Sequence, residues 1–516
     1  MKKLIILSAL FLVGLTSLTS CDDFLETNSR TQVSELEFYK TEDEVLMGVY
    51  ACINDIQERL LEVFSYSSLM SDESETGGGL GEGVYKTKYD TFTFDPSTSP
   101  AWWNEWDYGL YNGVTSANIL IDKLGESPLS KSFVDATMAE ARFYRALFYA
   151  YIWMGYEQAP LIKNRLSSSD IYSVKKGTRD EIFDFMMEDL DNDVIKFLPD
   201  KNNTVQGRVS KDAARVLKAK LILFHRAENR YPEALSAMEE IINTHRYTLL
   251  PDYRNIWLKS GEFCSESIYE IQFAGDNKGE GNTVLCRSLS GRDIQDPRSG
   301  EQGGLGSGYG QNTMPSTIYN MFAAGDTRRE GTVISYKDEA AKVEALVNAG
   351  KLPAGSKFII SDQQENFEWF GHYKYHGRKE STSDLNPMDN YAVNFRFYRY
   401  ADVLLMATEL YARINGSVNT EAQGWFDQIR DRAFQDENHR IDLTNKSKDE
   451  ILNIIFKERG YEFIDEMQRW FDIMRFDKGT EILGSKGWTE KYRYFPISQK
   501  EITASNGSLD QNPGWR

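Results

Sequence analysis

Two pairs of amphipathic helices, far apart along the chain, constrain its fold more than any other feature. Ser210 is a good N-cap for one helix, and Pro232 lies near the start of the next. Apolar residues repeat on one face of each of these helices, at Ala213, Leu217, Leu221 and Phe224 and at Leu235, Met238 and Ile242. A second pair follows residue 400, with its apolar faces at Val403, Ala407, Leu410 and Ile414 and at Ala422, Trp425 and Ile429. The turn Asn415-Gly416 separates the helices of that second pair.

Helix pairs with short turns and alanines at the close contacts are typical of tetratricopeptide units. Because the two pairs lie far apart, the sequence predicts one mainly α scaffold with inserted loops and a few short strands. The segment "SIYEIQF" at 267–273 alternates, which predicts a strand with Tyr269 and Ile271 on one face and Glu270 and Gln272 on the other. Residues 275–310 are rich in Gly, Ser, Asp and Asn, which predicts a long irregular loop of the kind that carries function.

The first 21 residues have the pattern of a lipoprotein signal. Lys2 and Lys3 precede an apolar run at 4–15, which is shorter than the roughly 20 residues that span a bilayer. The run leads into Leu18-Thr19-Ser20-Cys21, which resembles a bacterial lipobox. We therefore expect residues 1–20 to be a signal peptide and Cys21 to carry lipid that tethers the protein to a membrane. The alternative is a plain secretory signal with an incidental cysteine.

Charge and motifs exclude several classes of function. The formal net charge is −19, so the protein would repel nucleic acid. The sequence contains no nucleophile elbow, zinc-protease motif or P-loop. Histidines four apart at 372 and 376 are flanked by glycines, which favours a strand or loop over a metal site, and aspartates at 189, 191 and 193 lie on an apolar helical stripe that continues to Phe197. We predict neither a metal nor a cofactor.

Two groups of carboxylates are candidates for glycoside hydrolysis, which needs an acid with a raised pKa. The first, Asp72, Glu73 and Glu75, precedes a glycine run and is predicted to form a solvated loop edge or a helix cap. The second lies on a helix interleaved with arginines, where Glu458, Arg459, Arg469 and Asp472 are predicted to form an ion network. We therefore predict that the protein is not an enzyme.

Several motifs together resemble the SusD/RagB family. They are the lipobox, "SDESETG", "NFRFYRYADVLLMATELY", "ERGYEFIDEMQRWFDIMRF" and the ending "YFPISQKEITASNGSLDQNPGW". The resemblance implies an N-terminal SusD-like region at 21–265 and a C-terminal RagB/SusD region at 266–516, packed as one unit. It also implies a lipoprotein of the outer membrane, exposed at the cell surface, that binds glycan and delivers it to a SusC-like TonB-dependent transporter. RagB-type members imply an alternative, a peptide-binding or scaffold lipoprotein.

Aromatic residues with polar neighbours on loops are the candidates for glycan contact, because sugar rings stack on aromatic faces and their hydroxyls bind polar groups. In "PAWWNEWDYG", Trp102 and Asn104 fall off the apolar stripe of a helix predicted to end at Gly125. The resemblance to SusD also implies that these two residues contact glycan, although core tryptophans are an equal alternative. The other candidates are Tyr85, Tyr309, Gln311 and Trp369. We expect several of them to converge on one rim.

Overall fold

The computed structural model describes residues 38–97, 101–167, 169–170, 174–275, 280–381 and 390–515, without the side chains of 60–61, 84–85 and 101–108. Cys21 lies outside these residues. The helices are α1 (Glu42–Leu69), α2 (Val84–Asp90), α3 (Ala101–Gly125), α4 (Lys131–Tyr156), α5 (Arg179–Asp189), α6 (Asn192–Ile195), α7 (Lys211–His225), α8 (Tyr231–Asn243), α9 (Ser316–Met321), α10 (Arg328–Thr332), α11 (Tyr336–Asn348), α12 (Tyr400–Asn415), α13 (Thr420–Phe434), α14 (Lys448–Glu462), α15 (Arg469–Arg475), α16 (Gly479–Leu483) and α17 (Gln499–Ala504). The strands are β1 (Glu75–Thr76), β2 (Ala159–Pro160), β3 (Lys176–Gly177), β4 (Ser267–Ile271), β5 (Asn312–Thr313), β6 (Val333–Ser335), β7 (Phe370–His372) and β8 (Phe395–Arg399).

The first helices of the scaffold pack as antiparallel neighbours, α1 against α3 and α3 against α4. Thr41 begins α1 with a capping box, in which its hydroxyl accepts from the Glu44 backbone N–H and the Glu44 carboxylate accepts from Thr41. At Gly113, a Cβ atom would lie 2.2 Å from the Phe148 ring, so the absence of a side chain lets α3 approach α4 closely. As predicted, α3 ends at Gly125.

The two predicted helix pairs are confirmed, and they pack on each other through α8 and α12. Ser210 caps α7 by accepting from the backbone N–H of Ala213 at 3.3 Å. Gly416 ends α12 with a φ of 73°. Almost all of the predicted inward residues are buried, but Ile414 is exposed because it lies in the last turn of α12, beyond the packed part of the helix.

The predicted strand at 267–273 forms β4, which pairs with β8 in an antiparallel two-stranded sheet. Glu270, on the face opposite Tyr269 and Ile271, is buried as well, because β4 is covered on both faces. The Glu270 carboxylate accepts from the backbone N–H of Phe263 at 2.7 Å and from Asn394 Nδ2 at 3.0 Å. In the described residues of the glycine-rich stretch that follows, the backbone is irregular except for a π-helical turn at Val284–Leu289.

Two segments predicted as continuous helices are broken. The segment around 458–476 divides into α14 and α15, and Asp465 and Met467 between them have positive φ. The apolar stripe across Asp189 divides into α5 and α6, and Phe197 at its end is exposed. The Asp189 carboxylate is held by the Arg145 guanidinium at 2.7 and 2.8 Å, which gives it a structural role.

A buried ion network joins helices from both halves of the sequence. Asp402 on α12 accepts from Arg459 Nη1 on α14 at 2.7 Å and pairs with Lys220 on α7 at 2.5 Å. Burial opposes ionisation of Asp402, but Lys220 and Arg459 hold its pKa well below the usual range. Arg459 also binds Asp472 at 2.8 Å, so the predicted ion network is confirmed for these residues.

The end of the chain forms a strap over α4. Asn512 Nδ2 donates to the carbonyl oxygens of Tyr156 at 2.8 Å and Phe495 at 3.2 Å, and its side chain is fully buried. The Trp515 ring stacks on Phe94 with 5.6 Å between centroids. Within the part of the chain that the structure describes, every helix is too short or too polar to cross a lipid bilayer.

Candidate ligand-binding rim

The centre of the candidate site is a glycine-rich loop at residues 77–83, called the glycine loop below. Strand β1 leads into it and pairs with β5. The pairing continues past the strands, because the backbone N–H of Gly77 donates to the carbonyl of Gln311 at 2.9 Å and that of Gly78 donates to Gly310. A Cβ atom on Gly77 would lie 2.2 Å from the Gly310 carbonyl oxygen, so this close approach requires glycine.

The opposite side of the glycine loop contacts residues 364–366. The backbone N–H of Glu365 donates to the carbonyl of Gly78 at 3.2 Å, and the Glu365 carboxylate accepts from the N–H of Gly81 at 2.7 Å. Asn366 Nδ2 donates to the carbonyl of Thr76 at 2.9 Å. The glycine loop therefore joins two segments from the C-terminal half of the chain. We call the surface formed by residues 77–83, 309–313 and 364–369 the rim.

Trp369 lies at one end of the rim and is 38% exposed. Its backbone has a φ of 66°, and its carbonyl accepts from the Tyr336 N–H at 3.0 Å, so the loop is held firmly beneath the indole. The Phe367 ring lies 5.2 Å from the Trp369 ring, and Lys337 Nζ lies 5.9 Å from it. The predicted exposure of Trp369 on a loop is confirmed, and the structure adds Phe367. The alternation "FEW" could have indicated this pair.

Gln311 lies at the other end of the rim, where its side chain is partly buried. Its Oε1 accepts from Lys86 Nζ at 2.7 Å. Lys86 is only 1% exposed, and burial together with the nearby Arg287 guanidinium lowers its pKa to about 7, against an opposing effect of Glu62. Lys86 follows Tyr85 directly on α2, so the start of α2 lies beside Gln311. Sequence reasoning missed Lys86.

Of the four remaining candidates, one has a side chain that the structure describes and three do not. Tyr309 is partly buried and packs against the main hydrophobic core, while its backbone N–H donates to the Cys286 carbonyl at 3.0 Å. Tyr85 belongs to α2, and Trp102 and Asn104 belong to the first turn of α3, but their side chains are outside the described set. The structure therefore brings Tyr309, Gln311 and Trp369 onto segments in contact with the glycine loop.

Comparison with known proteins shows which family this chain resembles. Residues 266–515 match a family model described as the SusD family, and residues 23–223 match a second one described as starch-binding associating with outer membrane. The chain belongs to the SusD family. Two curated relatives from Formosa agariphila are SusD-like protein P25, 26% identical over 89% of this chain and 87% of the relative, and SusD-like protein P38, 25% identical over 99% of each.

Solved structures of other SusD-like proteins share the fold. A laminarin binding SusD-like protein has a TM-score of 0.78 and 25% identity, over 92% of this chain and 100% of that one. Surface glycan-binding protein A from Bacteroides thetaiotaomicron, in complex with laminarihexaose, has a TM-score of 0.75 and 24% identity, over 91% of this chain and 99% of that one. The tetratricopeptide-like helical fold of the SusD family is therefore the fold of this chain.

The sequence predicted a solvated loop edge or a helix cap at Asp72, Glu73 and Glu75, but Glu73 is buried and the other two are partly buried, so the solvated edge is wrong. Asp72 receives two hydrogen bonds from the Arg469 guanidinium, at 2.7 and 2.8 Å. Arg469 thus pairs with Asp72 and not with its helix neighbours. Glu73 is 1% exposed, and neither of its carboxylate oxygens has a hydrogen-bond partner. Burial, reinforced by the negative charges of Asp465 and Asp72, raises the pKa of Glu73 well above its usual value.

His372 and His376 lie in a strand and a loop, as predicted, and each has its own partners. His372 ends β7, and its Nδ1 lies 2.9 Å from the Asp465 carboxylate. His376 Nδ1 lies 2.9 Å from the Gly377 carbonyl, and burial lowers the pKa of His376 to about 3. Among the described residues, no group of three or more His, Cys, Asp or Glu side chains is arranged to hold a metal ion.

Proposed function

We propose that this SusD-family chain is a non-catalytic glycan-binding lipoprotein of the cell surface. It captures oligosaccharide or polysaccharide at the rim and delivers it to a SusC-like TonB-dependent transporter. The observation that carries the proposal is the exposed indole of Trp369, held beside Phe367 at the edge of a loop cluster built on a rigid helical scaffold. The laminarihexaose complex of a structural neighbour supports a glycan as the ligand class.

The chemistry of the rim suits a sugar chain. The Trp369 ring offers a flat apolar face for sugar C–H groups, and Lys337 beside it offers a charged donor for hydroxyl oxygens. At the other end, the amide of Gln311 and the phenol of Tyr309 supply polar groups. We propose that Tyr85 extends this contact surface, since α2 begins next to Gln311. For Trp102 and Asn104, the proposal rests on the resemblance to SusD.

Two acidic residues at or beneath the rim, Glu82 and Glu73, are poorly suited to glycoside hydrolysis. Glycoside hydrolysis requires a carboxylic acid with a raised pKa facing a second carboxylate across the bond that is cut. Glu82 lies at the rim, but hydrogen bonds from Arg292 hold its pKa below the usual value, which keeps it ionised. Glu73 has a raised pKa, but its side chain is enclosed beneath the surface and out of reach of a polysaccharide.

Calorimetry with purified protein tests the binding function. Laminarihexaose, maltohexaose and a mixed oligopeptide are titrated into wild-type protein and into Trp369→Ala, Tyr309→Ala and Gln311→Ala variants. Trp369→Ala lacks the stacking ring and should bind glycan about ten-fold more weakly, which corresponds to about 1.4 kcal/mol. Tyr50→Ala is a matched control, because Tyr50 is an exposed tyrosine on α1. Unchanged affinity in all three rim variants refutes this rim, and binding of peptide alone supports the RagB-type alternative.

The anchor and the partner have separate tests. Lipid on Cys21 predicts a mature N-terminus that carries acyl mass, and Cys21→Ala should release the protein from the membrane fraction. Co-purification of a TonB-dependent barrel from outer membranes supports the transporter partnership. Mass spectrometry that finds an unmodified Cys21 in membrane-associated protein contradicts the lipid anchor.

A further inference from the structure

An ion pair closes the glycine loop onto the rest of the rim. Arg292 Nη1 donates to Glu82 Oε2 at 2.6 Å, and Arg292 Nη2 donates to Glu82 Oε1 at 3.0 Å. This two-point geometry fixes the direction of the carboxylate as well as its distance. Glu82 Oε2 also accepts from the backbone N–H of Gly79 at 3.2 Å, so the same carboxylate folds the loop upon itself.

The backbone of Arg292 contacts residues that lie just before the other two rim segments. It forms a β-bridge with Gly308, directly before Tyr309. Its carbonyl accepts from the backbone N–H of Ser361 at 3.2 Å, in the segment that leads to Trp369. The guanidinium of Arg292 therefore extends from the junction of these two segments to the third. Such a junction can set the position of all three segments relative to each other.

The glycine loop depends on such contacts because its backbone is intrinsically free. Gly78 and Gly81 have φ values of 89° and 82°, which other residues rarely adopt. Leu80 at the tip of the loop is 68% exposed and contributes little packing. Glycine loses more conformational freedom on ordering than any other residue. The hydrogen bonds and the ion pair around the loop must therefore offset a large entropic cost.

We propose that Glu82 and Arg292 are positioning residues that hold the glycine loop in the conformation that receives the glycan. The proposal rests on glycan binding at the rim. It predicts that high salt weakens the binding of a neutral glycan. The glycan carries no charge, so a salt dependence must come from the protein, and the Glu82–Arg292 pair is partly exposed and is therefore screened by salt. A pair with a purely structural role elsewhere would give no such dependence.

Binding and hydrogen exchange test the proposal together. Laminarihexaose affinity is measured at low and high salt for wild-type protein, E82Q, R292Q, E82R, R292E and the reversed pair E82R/R292E. We expect E82Q and R292Q to bind about two- to five-fold more weakly, the range that an exposed ion pair supplies. Both variants should lose the salt dependence, and E82R/R292E should bind better than either E82R or R292E alone.

Hydrogen exchange of the peptide containing residues 77–83, measured without ligand, should be faster in E82Q and R292Q. D431N and R440Q are matched controls, because Arg440 Nε binds Asp431 at 2.7 Å in a similarly exposed pair near the end of α13. These controls should change neither affinity nor exchange at 77–83.

Unchanged exchange at 77–83 in E82Q and R292Q overturns the proposal whether or not a glycan binds. Wild-type affinity in both variants at both salt concentrations, while Trp369→Ala weakens binding, also overturns it and leaves the proposed function intact. Faster exchange combined with weaker, salt-independent binding supports it.

Discussion

Replacement of Glu73 by Gln should stabilise the protein at neutral pH. The Glu73 carboxyl group is buried without a hydrogen-bond partner, and Asp72 and Asp465 lie near it. An unfolded glutamate has a pKa of about 4.3. Because burial and the neighbouring charges raise the pKa in the folded state, the folded protein retains a proton that the unfolded chain releases above that pH.

The sign of the effect follows from this difference in bound protons. The stability that comes from Glu73 is fully present below about pH 4.3 and is lost as the pH rises toward the folded-state pKa. Each unit by which the Glu73 pKa is raised, up to the pH of the experiment, lowers the free energy of unfolding by about 1.4 kcal/mol. Glutamine has nearly the same shape and no charge, so Glu73→Gln should raise the free energy of unfolding at pH 7.5 by at least about 1.4 kcal/mol.

Urea denaturation followed by tryptophan fluorescence, at several values between pH 4 and pH 8, measures this effect. The difference between Glu73→Gln and wild type should be near zero at pH 4 and should grow with pH. Glu58→Gln is a matched control, because Glu58 is exposed on α1, and it should leave the pH profile unchanged. A Glu73→Gln variant that is less stable than wild type at pH 7.5, or that differs by a constant amount, would refute the reasoning.

Four further substitutions test other parts of the structure. Lys86 has a pKa of about 7 when folded, so wild-type stability should rise between pH 7 and pH 10, and urea denaturation of Lys86→Met should show no such rise. Gly77→Ala forces a methyl group against the Gly310 carbonyl and should cost about 1–3 kcal/mol in thermal unfolding, whereas Gly424→Ala, with open space around it, should stabilise by about 0.5–1 kcal/mol. Asn512→Ala removes two buried hydrogen bonds, to the carbonyls of Tyr156 and Phe495, and should lower the free energy of unfolding by about 1–3 kcal/mol in the same scans.

The scaffold could be predicted from sequence because its signals are local. Ser210 and Gly416 mark helix ends through contacts within a few residues, and apolar spacing identifies the buried face of each helix. The breaks in the helices were missed for the opposite reason. Asp465 adopts a positive φ in the turn where it contacts His372, and that contact joins residues 93 positions apart.

The candidate site was predictable only in part. Glycines and aromatic residues identified the loops, and Trp369 is exposed as expected. The burial of Glu73 and the pairing of Asp72 with Arg469, 397 residues away, depend on which distant segments meet, and composition carries no such information. The same holds for the contact of Lys86 with Gln311. The glycan roles of all six candidates stay predictions: Tyr85, Trp102, Asn104, Tyr309, Gln311 and Trp369.

The salt bridges of Asp402 with Lys220 and Arg459 limit how the gene can recombine. Lys220 lies in the region matched by one family model, and the other two residues lie in the region matched by the second. A mosaic that took one region from a relative with a different residue at one of these positions would remove a partner from a buried ion network, at a cost of up to about 3–5 kcal/mol. We expect viable hybrids to inherit all three residues together.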